Sequence, residues 1–431
     1  MAIVGFDRSK FEHVIQTTLS PTTPIRSPEH LRGRERKLED IRRALVQPGR
    51  NIFVFGDRGV GKTSLAQTAA FEHQSASNKP IFVGCDASST FFSVAQEIAA
   101  RLLGHEFNLT KASRQTKGGF SSKPLTVEHQ RATELGPVQR PTSVNEALHM
   151  LAQSAGKHST QPVIVIDEFE RVIAAEDRAL FADLIKQAGD QSAPFKIIFC
   201  GVASSLEQLL DAHHSCYRYL VSVQLERLLP GPRFQIINAA CEAVGVTIEH
   251  SSLSRISAIS DGFPHYVHLI TEKLLWEIFS DENLINISRP QHYLQAVRSA
   301  VEDIEPKLKA TYEKATLKYS VNEEYEGILW AIADHHELKR RSADIFDLYC
   351  SLMRAHDRQP LSRGKFTQRI NALKKDNHSC ILTGSRQGWY EFTEPVMRGY
   401  VRLRAEDQGI QLGADHAAEY RGHNRLRFAQ E

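Results

Sequence analysis

From Gly56 to Ser64 the chain reads Gly-Asp-Arg-Gly-Val-Gly-Lys-Thr-Ser, three glycines within six positions and then a lysine and two hydroxyls. Glycine loses more backbone freedom on folding than any other residue, so this density needs a local reason. The spacing is a complete G-x-x-x-x-G-K-[ST], set between an apolar run and a helical pattern, the context in which that motif binds phosphate. There the glycines let backbone N–H groups converge on phosphate oxygens, and the helix that follows points its positive end the same way. Gly56, Gly59, Val60, Gly61, Lys62, Thr63 and Ser64 are the expected contacts: Lys62 reaches the β- and γ-phosphates, and the Thr63 hydroxyl sits on Mg²⁺.

A phosphate site that does chemistry needs a carboxylate at the end of a second buried strand. The run Pro-Val-Ile-Val-Ile-Asp-Glu-Phe-Glu at 162–170 supplies two. Asp167 is placed to hold the Mg²⁺ water shell and Glu168 to polarise an attacking water as general base. An Asp-Glu pair also caps helix N-termini, and the residues alone leave that alternative open.

The elements that must position these groups follow from the apolar pattern. Runs at 51–55, 80–84, 162–167 and 195–200 are continuous and rich in β-branched residues, with a weaker one at 219–225. Continuous apolarity suits parallel strands buried on both faces. Helical patterns separate the runs, one of them opened by Ser143 with Glu146 in capping-box spacing. The fold expected is therefore an α/β P-loop sheet with helices on both faces. Residues 1–27 form an N-terminal extension and 28–225 the P-loop core, with a polar, aperiodic insertion at 104–141. Helical periodicity then fills 226–319. A third module at 320–406 has three helices, two short β-prone runs and a closing helix, and the polar tail 407–431 is expected to be disordered.

Composition narrows the classes. The chain has 431 residues, 41% hydrophobic and 24% charged, with a net charge of +2, so any nucleic-acid surface must be a local patch. Six scattered cysteines without a C-x-x-C argue for reduced thiols rather than a disulfide framework or zinc site. No apolar run approaches the ~20 residues of a membrane span, and the charged N-terminus does not read as a secretory signal. These bounds point to the cytoplasm and away from a membrane.

With the loop and the Asp-Glu strand in place, residues 28–290 resemble the AAA+ ATPases, in particular their origin-recognition and transposition-ATPase branches. Gly33-Arg34-Glu35 is similar to the segment that lies near the adenine in that family, and Pro264, in Asp-Gly-Phe-Pro-His, is similar to the lid segment that closes over it. The resemblance implies ATP rather than GTP, and no N/T-K-x-D guanine motif exists. It implies a homo-oligomer in which Arg218, ahead of the fifth strand, completes a neighbour's site; a surface salt bridge is the plainer role for that arginine. Two positions depart from the family. Gly201 falls where a polar sensor ends the fourth strand, leaving Ser204 or Ser205 as substitutes, and His265 replaces the arginine that often follows the lid proline. The second departure suggests slow turnover, a switch rather than a motor.

The module at 320–406 resembles a winged helix–turn–helix. Phe366, Ile370 and Leu373 form the buried stripe of its third helix, while Lys365, Gln368, Arg369 and Lys375 lie largely off it and Arg386 sits at the wing tip. Residues 361–390 hold six Lys/Arg against Asp376 alone, a net +5. Such a patch suits double-stranded DNA. The rival reading is a signalling or defence ATPase whose C-terminal module binds a protein effector; a small-molecule kinase fits least, since the Asp-Glu strand points to water as acceptor.

Overall fold

A computed structural model of the chain describes residues 3–74, 78–104, 138–212, 214–317, 322–385 and 387–413. Most of the insertion and most of the C-terminal tail fall outside these residues. They divide into two compact units, one of Glu39–Phe55 with Ala69–Val223, the other of Met1–Leu38, Gly56–Thr68 and Gln224–Glu431.

In the first unit all five apolar runs are strands: β1 (Asn51–Phe55), β2 (Ile81–Gly84), β3 (Val163–Asp167), β4 (Lys196–Gly201) and β5 (Leu220–Gln224). They form one parallel sheet in the order β2-β3-β4-β1-β5. Its centre is apolar because β1, β3 and β4 are buried along nearly their whole length. Register puts Phe53, Phe199 and Ile166 in one row, so Asp167 stands one step beyond it, level with Cys200 and Val54. Helices Phe91–Leu102, Val144–His158 and Ala175–Asp190 cover the sheet. The expected capping box at 143–146 forms only in half. The Ser143 hydroxyl accepts from the Glu146 N–H, but the Glu146 carboxylate turns to the N–H and hydroxyl of Thr142. Thr142 offers two donors there, against the single N–H of Ser143.

The second unit opens with a helix, Arg8–Thr18, that the N-terminal extension does not announce in its sequence pattern. Asp7 caps it by accepting from the Lys10 N–H at 2.8 Å, and Phe11 stacks on Phe279 at 4.3 Å and meets Trp276 edge-on at 5.0 Å. Helices Pro230–Ala243, Pro264–Phe279, Pro290–Glu302 and Pro306–Thr316 each begin at a proline, whose fixed φ and missing N–H suit a first helical position. Farther along, helices Asn322–Ala333, Ser342–Ala355 and Arg363–Ala372 accompany a small antiparallel sheet. Its strands are β6 (Arg340–Arg341), β7 (Leu382–Gly384) and β8 (Trp389–Phe392), in the order β6-β8-β7. Helix Met397–Asp407 closes the chain's described part.

Candidate functional site

The phosphate loop leaves β1 at Gly56. Gly56, Gly59 and Gly61 take φ values of 155°, 85° and 95°, a region that L side chains rarely adopt. At Gly56 there is a second reason: a Cβ would lie 2.1 Å from the Leu225 carbonyl oxygen. The helix Lys62–His73 then begins at the lysine itself. The Lys62 ammonium is folded back over the loop, donating to the carbonyls of Gly56 at 3.0 Å and Asp57 at 2.9 Å. A positive charge above a ring of left-handed glycines, at a helix N-terminus, fits a polyphosphate.

Neighbouring chain segments brace this loop. Arg34, 8% exposed, donates to the carbonyls of Val60 and Glu226, and burial pulls its pKa down to about 10, still well above neutrality. Its role as a tie between the loop and Glu226 is not visible in the Gly-Arg-Glu spacing. The Ser64 hydroxyl accepts from the Ile25 N–H at 3.1 Å, and Thr68 donates to the Ile25 carbonyl at 3.1 Å. Residues 20–26 therefore form a strap whose Ile25 end lies along the first two turns of the helix. Pro264 lies at ordinary contact distance from the loop, 3.9 Å from where a Cβ on Gly61 would be. Next to it His265 shares a 2.8 Å hydrogen bond with the Pro21 carbonyl. The residue standing where a sensor arginine is expected is thus tied to the strap.

In the sheet unit, Asp167 ends β3 and its carboxylate accepts from the Glu168 N–H at 2.9 Å. Glu168 adopts φ 53°, ψ 40°, a left-handed turn uncommon for a residue with a Cβ. Phe169 fixes that turn: fully buried, its ring meets Phe53, Phe181 and Phe199 edge-on at 5.2–5.8 Å. The Glu168 carboxylate is half exposed and paired with Arg171 at 2.8 Å. Beneath Asp167, burial and that carboxylate push the Cys85 thiol up to about 12, so it stays protonated. No group of three or more His, Cys, Asp or Glu side chains that could hold a metal occurs among the described residues. One carboxylate and one hydroxyl suit Mg²⁺, which takes its remaining oxygens from water and phosphate.

The end of β4 leaves no room for a side chain at Gly201. The Ser205 hydroxyl lies 2.6 Å from where a Cβ on Gly201 would be, and the Phe53 ring closes the other side at 3.1 Å. That hydroxyl donates to the Val202 carbonyl and is 1% exposed, whereas Ser204 is exposed. Arg218 ends a 3-10 turn, His214–Arg218, and is exposed ahead of β5.

In the C-terminal module Phe366, Ile370 and Leu373 are fully buried, which leaves the other faces of their helix outward. Lys365, Gln368 and Lys375 are exposed. Arg369 is half-buried instead, bonded to Glu324 at 2.6 Å and lying over the Tyr325 ring. Arg363 lies over Phe346 and Lys374 over Tyr390, each 5.2 Å from the ring centre. Arg386 falls outside the described residues.

Residues 30–198 match the family model for the AAA ATPase domain. No curated protein sequence matches the chain. Among solved structures it is similar to a Walker-type ATPase, PABY2304, of Pyrococcus abyssi, with 15% identity, a TM-score of 0.49, and 88% of this chain and 99% of that one covered. It is also similar to Cdc6p from Pyrobaculum aerophilum, with 16% identity, a TM-score of 0.46, and 92% and 98% covered. The ORC1 protein of Aeropyrum pernix, solved in complex with DNA, gives 15% identity, a TM-score of 0.44, and 88% and 95% covered. The match to the AAA ATPase domain model takes in the loop, the Asp-Glu strand and the sheet strands β1 to β3.

Proposed function

We propose that the protein binds ATP with Mg²⁺ at Gly56–Ser64, hydrolyses it slowly, and uses the nucleotide state to change its assembly on double-stranded DNA. The observation that carries the nucleotide reading is the loop itself: three left-handed glycines under the Lys62 ammonium at a helix N-terminus. Thr63 and Asp167 would hold the Mg²⁺, which supplies charge neutralisation on the phosphates. Glu168 orients and deprotonates the attacking water, and the Arg171 pair holds its carboxylate until water takes that place. Pro264 and the strap lie beside the loop and would border the base. Slow turnover follows from the two departures already seen, the filled space at Gly201 and the tied His265.

Arg218, exposed ahead of β5, serves a neighbouring subunit in this reading. A variant Arg218→Ala then binds ATP normally, and its hydrolysis recovers in part on mixing with Lys62→Ala subunits. In this reading the functional domains are a core at 28–225, a lid at 226–319 and a winged helix at 320–406. Helix, short strand, two helices and a two-stranded hairpin in that order support the last of these. Lys365, Gln368 and Lys375 would meet the phosphate backbone.

A second reading, a signalling ATPase with a protein effector on the same module, is favoured by one observation. Arg369, Arg363 and Lys374 are committed to Glu324 and to aromatic rings, which thins the basic face. Fluorescence anisotropy of labelled duplex separates the two. Under the DNA reading, affinity falls with salt at a log–log slope of ~−0.9 per phosphate contacted. Lys365→Glu with Lys375→Glu should weaken binding and flatten that slope together. Equal affinity and slope for both proteins would move the assignment to the effector. Calorimetry on Lys62→Ala tests the site itself: a folded variant with unchanged ATP affinity would misplace it, and Glu168→Gln should keep binding while losing turnover.

A further inference from the structure

The chain between β8 and helix Met397–Asp407 lies against the phosphate loop. A Cβ on Gly59 would stand 3.3 Å from the Val396 side chain. One residue earlier in the loop, Arg58 reaches two carboxylates, Glu394 at 3.3 Å and Glu305 at 3.4 Å, and Lys307 braces Glu394 at 2.8 Å. None of these side chains belongs to the nucleotide chemistry described above.

We propose that Arg58, Glu394 and Glu305 form a charge latch that holds Glu394 and Pro395 beside the phosphate loop and lowers its affinity for nucleotide, and that a nucleoside polyphosphate opens it. The proposal rests on the reading of Gly56–Ser64 as an ATP site and adds the regulation of that site by the C-terminal module. Two features support it. First, the strength is right: Arg58, Glu305 and Glu394 side chains are 48%, 45% and 32% exposed, and ion pairs so placed are worth at most ~1 kcal/mol each. Contacts that weak can be displaced by a ligand carrying three or four negative charges. Second, the sign is right. Phosphates arriving at Gly59–Lys62 meet two fixed carboxylates beside the loop, and they compete with both for the Arg58 guanidinium.

The rear of the segment is anchored differently. The Tyr266 hydroxyl donates to the Val396 carbonyl at 3.0 Å, and Arg398, two residues on, is fully buried against Asp261. Opening the latch therefore frees Glu394 and Pro395 while Val396 onward keeps its footing. Nucleotide occupancy would be reported to β8, the strand that leads into the segment, and so to the module carrying Lys365 and Lys375.

The test uses the full chain and ATP carrying a fluorescent ribose label, with Mg²⁺, titrated into wild type, Glu305→Gln/Glu394→Gln and Lys62→Ala. The double variant should bind roughly 3- to 10-fold tighter at low salt. The difference should vanish near 1 M salt, where the screening length is ~3 Å. Equal or weaker binding by the double variant at low salt overturns the latch alone. Wild-type binding no better than that of Lys62→Ala overturns the ATP site and the latch with it. Hydrogen exchange on the wild type guards against a misfolded variant: peptides covering 393–397 should exchange faster with saturating ATP, and unchanged exchange overturns the proposal.

Discussion

Two ion clusters tie the C-terminal segment to the rest of its unit, and they differ in burial. Around Arg58 the groups are a third to a half exposed, and each charge can trade its partner for water. Around Asp261 they cannot. Its side chain, 3% exposed, meets Arg227 at 2.6 Å, Arg398 at 3.1 Å and Arg402 at 3.2 Å, the last two 0% and 1% exposed. Three guanidiniums on one carboxylate would be a poor bargain without further acceptors. The turn after helix Asn322–Ala333 provides them: the carbonyls of Ala333, His335, His336 and Glu337 all accept from these arginines. Those are the electron-rich oxygens that a helix C-terminus and its following turn leave unbonded. Burial still pulls the Arg398 pKa down to about 9, with Asp261 opposing it, so this guanidinium remains charged at neutral pH. Like chemistry thus serves as a pivot where water is excluded and as a clasp where it is not.

The largest expected effect breaks the pivot. Asp261→Ala leaves buried guanidiniums uncompensated, which costs about 3–5 kcal/mol, against at most ~1 kcal/mol for Glu394→Gln at the clasp. Urea unfolding of both variants checks the ratio, and equal losses would end the distinction. A smaller loss, ~1–3 kcal/mol, is expected for Glu406→Gln, whose buried carboxylate accepts from Arg255 and from the Tyr293 hydroxyl at 2.6 Å. Unlike Asp261, this variant keeps an acceptor, so the same unfolding experiment should rank it between the other two.

A separate effect concerns pH. His268 is buried beside the strap, where its Nδ1 accepts from the Ser20 N–H, and burial pulls its pKa from 6.5 to about 4, with His265 and His30 adding to the shift. The unfolded chain therefore binds the extra proton first. The stability that neutral His268 contributes is complete above pH 6.5 and drains away as pH falls toward 4. Thermal melts between pH 7 and 4.5 should fall less steeply for His268→Gln than for wild type, and parallel slopes would assign the acid sensitivity elsewhere.

What the sequence made legible was local. Four continuous apolar runs and a weaker fifth became five strands, and a complete glycine-lysine motif became a loop with the backbone angles its glycines require. The stripe Phe366, Ile370 and Leu373 is buried because a 3.6-residue period is visible in ten residues. Pairings across the chain leave no such period. Arg369 reads as a free cation until Glu324, forty-five positions earlier, is seen beside it. Gly201 reads as a lost sensor until Ser205 is found in the space a side chain would need. Arg34 bridges 26 residues to Val60 and 192 to Glu226, distances over which spacing carries no signal.

The crowding at Gly56 has a mechanical corollary. The Leu225 carbonyl touches the loop's first residue, and Arg34 grips both the loop at Val60 and the chain at Glu226. Loop and residues 225–226 therefore move as one stiff piece. The chain after Glu226 then comes back to the same piece twice, with Phe263 and Pro264 beside Gly59 and Gly61 and with Val396 beside Gly59. A displacement of the loop is therefore felt directly at the start of helix Pro264–Phe279 and at the segment ahead of Met397, with no flexible hinge in between.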